Sequence, residues 1–134
     1  MIDRDDAERL LNLAKVDLKA IRNMLDPERF EDSVFGFHAQ QAAEKALKAW
    51  LSLRGVAYPK THDLRVPMSR LESHGQDDCR RFESLADLTD FAVQFRYDAP
   101  ALIEGLNRPS LISEVETVLN YVEMLLESAP HRTG

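Results

Sequence analysis

At 134 residues, the chain has room for one hydrophobic core and not for two comfortable ones. A composition of 44% hydrophobic and 30% charged residues excludes disorder, and a net charge of −6 argues against indiscriminate binding to phosphate backbones. No run approaches the roughly 20 apolar residues that cross a bilayer, and "MIDRDDAERL" is acidic where a signal peptide is basic, so a cytoplasmic protein with no membrane contact is expected.

The first element is an amphipathic helix. Ala7, Leu11, Ala14, Leu18, Ile21 and Leu25 recur at alternating steps of four and three, which predicts a helix over about residues 5–25. "DPERFEDS" breaks the pattern. Ser33 is then the expected N-cap of a long second helix that runs to Gly55, a residue suited to the left-handed helix terminus. On this helix Ala39, Ala42, Ala43, Ala46, Trp50 and Leu53 share a stripe that lets a neighbour approach closely. His38, Gln41, Lys45 and Lys48 stack on an adjacent face as hydrogen-bond donors, and Glu44 stands four residues before Lys48, the spacing of a helix ion pair.

After the linker "VAYPKTHD" a short helix is expected from Leu64 to about Ser73, with Asp63 as its N-cap and Pro67 limiting its start. "SHGQDD" reads as a turn. Phe82, Leu85, Leu88, Ala92 and Phe95 predict a third strong helix over about 78–96, followed by the irregular "DAPALIEGLNRP". Leu111, Val115, Val118, Val122 and Leu125 predict the last helix, with Ser110 as its cap. No segment alternates with period two, so no strand is expected. The predicted fold is all-α, an antiparallel up-down bundle of four main helices plus a short extra one. It forms a single domain over 1–128 with a flexible tail at 129–134.

Charge is unevenly spread. Residues 45–70 carry Lys45, Lys48, Arg54, Lys60, Arg65 and Arg70 against Asp63 alone, a balance of +5 that leaves −11 for the rest. No metal site is expected, because His38, His62, His74 and His131 show no ligand spacing with one another or with Cys79. The five glycines form no phosphate loop, and Cys79 in "DDCRR" has no paired histidine, so no cofactor and no Ser or Cys nucleophile are expected.

"FHAQQAAEKALKAWLSLRG" at residues 37–55, "KTHDL" at 60–64 and "FRYD" at 95–98 together resemble the HEPN domain family of prokaryotic proteins, in order along the whole chain. The resemblance implies an all-helical bundle, a homodimer, and a minimal nucleotidyltransferase as partner, in some cases within a toxin–antitoxin pair. It also implies nucleotide or RNA binding. Lys45, Lys48, Lys60 and Arg96 are the candidates to meet phosphate oxygens, and His62 and Tyr97 those to stack on a base.

The ribonuclease branch of the family carries Arg, four to six residues, then His, for a metal-independent cut. This chain departs from that motif. No histidine follows Arg96 in "RYDAPALIEGLNRP", and seven residues separate Arg54 from His62. The first reading is therefore a nucleotide- or RNA-binding module. A rearranged ribonuclease using Arg96 and His62 is the alternative, and a scaffold that binds no nucleotide is a third.

Overall fold

The computed structural model of the chain describes residues 2–90 and 106–129. Among them are helices α1 (Arg4–Arg22), α2 (Asp32–Leu53) and α3 (Arg65–Ser73), a 3-10 helix over Asp77–Leu88, and α4 (Arg108–Ser128), with no strand. The all-helical fold is as the periodicities predict.

Packing follows the stripes. Ala7, Leu11, Ala14, Leu18 and Ile21 of α1 are buried against α2, whose Ala39, Ala42, Ala43 and Ala46 are wholly inaccessible. The alanine stripe thus packs inside the bundle, where the absence of long side chains brings α1 and α2 close. The two helices run antiparallel. The Asp3 amide donates to the Ser52 carbonyl at 3.0 Å at one end, and His38 at the other end of α2 meets Asp17. Helix α4 is also antiparallel to α1, with Arg4 donating to the Leu126 carbonyl and Arg22 pairing with Glu116. Trp50, Phe82 and Tyr121 stack edge to face and tilted, and so join α2, the 3-10 helix and α4.

Several boundaries differ from expectation, each for a local reason. Leu25 lies past the end of α1 and is 51% exposed, because the buried Arg108 draws in the Met24 and Phe30 carbonyls and turns the chain there. Ser33 does not cap α2. The cap position is Glu31, so the helix starts two residues earlier, and Asp32 at its first position is held by Arg108 at 2.8 Å. Helix α2 ends at Leu53, and Gly55 takes the left-handed conformation at φ 70°, as its position suggests. The N-cap of α3 is Leu64 and not Asp63, which stands one residue before it and accepts from the Arg65 amide at 3.0 Å. Pro67 costs little there, since an amide in the first turn has no helical partner to lose. At α4 the cap is Asn107 and not Ser110, whose amide is the group being capped, at 3.0 Å.

The larger departure is in the segment expected as the third α-helix. Over Asp77–Leu88 it is a 3-10 helix, Thr89 and Asp90 follow it as helix, and the predicted stretch from residue 91 onward, with Ala92 and Phe95, lies outside the described residues. Its buried side chains are Cys79, Phe82, Leu85 and Leu88, spaced by three throughout, which places them on one face when three residues make a turn.

Candidate functional site

Two buried carboxylates organise the outer face of α2. The first is Asp17, which sits on α1 between core residues Ala14 and Leu18. Its Oδ1 meets His38 Nδ1 at 3.1 Å and its Oδ2 accepts from Lys45 Nζ at 2.6 Å. The second is Glu44, whose side chain is 6% exposed. Its Oε2 accepts from Lys48 Nζ at 3.1 Å, and its Oε1 meets His62 Nδ1 at 2.9 Å and accepts from Gln40 Nε2 at 3.1 Å. Gln40 also donates to the His62 carbonyl at 2.8 Å and accepts from Gln41, which fixes the α2–α3 loop on the helix. A carboxylate this buried is tolerable only when its oxygens are satisfied by such donors.

The arrangement uses donors that the sequence reading leaves open. His38, Gln41, Lys45 and Lys48 do share a face, but each already has an intramolecular partner, and the two ammoniums and two carboxylates cancel in charge. The Glu44–Lys48 pair is the helix ion pair that their spacing suggests. Each ammonium carries three N–H donors and spends one on its carboxylate, so both lysines keep donors for a ligand. Lys48 also lies 5.6 Å from the centre of the Tyr58 ring. Lys60 is exposed two residues before His62, whose side chain is 45% exposed. Of the candidate residues, the structure brings Lys48 and His62 onto one carboxylate, with Lys45 one helical turn before Lys48. Arg96 and Tyr97 lie outside the described residues.

Arg54 and His62 are not joined. Arg54 Nε donates to Gln76 Oε1 at 2.9 Å, which also accepts from the Trp50 indole, whereas His62 turns to Glu44. Asp17 and Gln40 escape the sequence reading. An acid at a core-stripe edge in α1 and a glutamine beside the alanines of α2 are the available signals, but neither names its partner.

A third polar cluster closes the far end of α2. Asp6 accepts from Arg9 at 2.7 Å, Ser52 at 2.7 Å and Tyr58 at 3.1 Å. Burial opposes the charge on Asp6, but these three hydrogen bonds outweigh it and hold the carboxyl below its usual range. Burial, followed by the Asp6 carboxylate, pushes the Tyr58 hydroxyl upward. A carboxyl depressed in the folded state contributes stability above its unfolded value of about 4, and that contribution is lost as pH falls through the folded value. Asp6→Asn therefore lowers the urea midpoint at neutral pH, and the gap from wild type narrows toward about pH 2. A gap independent of pH would exclude this role. Burial, aided by Glu72, pushes the Cys79 thiol up to about 12, which leaves it protonated at neutral pH.

No described helix is long and apolar enough to cross a membrane. In comparison with known proteins, the family profile of the HEPN domain matches residues 7–131. No curated protein and no solved structure matches the chain.

Proposed function

The chain belongs to the HEPN domain family, and from that membership and the α2 face we propose that it is a nucleotide- or RNA-binding module. It acts as a homodimer beside a nucleotidyltransferase partner, in the manner of a toxin–antitoxin pair, in the cytoplasm. The observation that supports this reading best is the meeting of Lys48 and His62 on the buried Glu44, next to Lys45 and the exposed Lys60. Carboxylates that hold an ammonium and an imidazole in place reduce the side-chain entropy lost when a phosphate arrives. Arg96 and Tyr97 complete the proposed ligand set, with Arg96 on phosphate and Tyr97 or His62 stacked on a base.

Lys60→Ala removes an exposed cation without disturbing either carboxylate, and it weakens binding of a nucleotide or a short RNA by about tenfold, the worth of one charge-assisted hydrogen bond. Titration at two salt concentrations measures this. Binding by wild type that neither saturates nor weakens with salt overturns the binding reading and leaves the scaffold.

Metal-independent RNA cleavage by Arg96 and His62 is the second reading. It is favoured by the His62 ring, whose Nδ1 is held by a buried carboxylate, as in imidazoles that transfer protons from the opposite nitrogen. Incubation of wild type, Arg96→Ala and His62→Ala with total RNA in chelator separates the two. Cutting that either substitution abolishes favours the enzyme, and intact RNA with a folded protein favours the binding module.

A further inference from the structure

Helix α1 packs one side on α2 and α4 and turns the other to solvent, where two large apolar side chains stand exposed: Leu13 at 42% and Val16 at 66%. They are three residues apart, so they share a face, and Leu13 is the midpoint of a helix that spans Arg4–Arg22. Exposed apolar side chains are ordinary on a folded surface, so the pair gains its meaning from the charges placed around it.

The charges around the pair have a pattern. Most of the helix's titratable groups are satisfied internally: Arg9 by Asp6, Lys15 by Glu123, Arg22 by Glu116 and Asp17 by Lys45. Asp5, Glu8 and Lys19 are exposed and have no ion-pair partner among the described residues. With a rise of about 1.5 Å per residue, Glu8 and Asp5 lie about 8 and 12 Å to one side of Leu13, and Lys19 lies about 9 Å to the other. An acid-to-base order along a helix suits its own dipole, but the dipole does not account for the apolar centre. A second copy laid antiparallel accounts for both. Leu13 and Val16 of the two chains meet at the crossing, and Lys19 of each falls between Asp5 and Glu8 of the other, twice over by symmetry.

We propose that the outer face of α1 is the surface on which two copies of this chain pair, antiparallel about a two-fold axis close to Leu13. The inference rests on the reading that the chain is a homodimer and names where the contact lies. A single helix crossing buries less than a standard interface, so the dimer is weak and concentration-dependent.

Sedimentation velocity on the full chain, from about 10 μM to about 1 mM, reads the dissociation constant. Leu13→Gln with Val16→Gln raises it at least about tenfold, since the paired apolar contact is lost from both copies. Glu8→Lys alone and Lys19→Glu alone each raise it as well, by placing like charges opposite one another. The double variant carrying both restores it to within about threefold of wild type, which loss of helix stability alone would not do. Circular dichroism confirms that each variant is folded. A dimer indifferent to all of these substitutions overturns the α1 surface and leaves the homodimer standing. A wild type that is monomeric throughout overturns both.

Discussion

Trp50→Ala lowers the unfolding free energy by about 4 kcal/mol, in the middle of the range for truncating a large buried aromatic residue. The indole is wholly inaccessible, stacks against Phe82 and Tyr121, and donates from Nε1 to Gln76 Oε1 at 3.1 Å. Its removal leaves a cavity where α2, the 3-10 helix and α4 meet, and it leaves Gln76 to Arg54 alone. The effect reaches beyond the cavity. A 3-10 helix of this length has poor hydrogen-bond geometry of its own and depends on what it packs against. With a typical domain stable by about 5–15 kcal/mol, the variant sits near the threshold of folding. Urea unfolding followed by tyrosine fluorescence and circular dichroism measures it. Trp50→Phe, which keeps a ring and loses the indole donor, loses about half as much. A Trp50→Ala loss below about 1.5 kcal/mol would mean that the three elements do not share this core.

Arg108→Met is the second large effect, at about 3 kcal/mol. The guanidinium is 3% exposed, an uncommon place for arginine, and it is there because every side of it is occupied. Nη1 donates to the Met24 carbonyl and Nη2 to the Phe30 carbonyl, both at 2.6 Å. Asp32 accepts from Nη2 at 2.8 Å, and the Phe35 ring lies 5.0 Å away. Methionine matches the volume but supplies no donor, so two loop carbonyls and a carboxylate must find water or remain unsatisfied. The α1–α2 loop should then lose protection from hydrogen exchange while the centre of α2 keeps it. Asp32 is half open to solvent, so Asp32→Asn alone costs much less, and the two substitutions together cost less than their sum. An Arg108→Met protein within about 1 kcal/mol of wild type would show that the loop carbonyls are solvated from outside and that the arginine is incidental.

These two residues illustrate how the chain discloses itself. Trp50 falls on the stripe with Ala39, Ala42, Ala43 and Ala46, so its burial is legible from spacing. Arg108 stands between Asn107 and Pro109, where nothing in the local pattern distinguishes a buried clamp from a solvated surface charge. Its partners are 76 to 84 positions away along the chain. The 3-10 helix is an intermediate case. Phe82, Leu85 and Leu88 repeat by three, which still fits an α-helical stripe over two turns, and only the burial of Cys79, half a turn from Leu88 on an α-helix, distinguishes the two.

By itself, the sequence determined that the chain is helical, where α1, α2, α3 and α4 begin and end to within a few residues, which faces they bury, and to which family the whole belongs. Helix periodicity is a local property, written in residues three and four apart, and the family blocks are likewise continuous stretches. Only the tertiary structure decided what the polar residues of α2 do. The Glu44–Lys48 pair is written in its spacing, but His38 and Lys45 read as free donors until Asp17 arrives from α1, and His62 as a stacking ring until its Nδ1 meets Glu44 beneath the α2–α3 loop. A buried charge must be matched wherever the fold brings a partner, and where that partner comes from another element, as Asp17 and His62 do, no spacing within the helix records it.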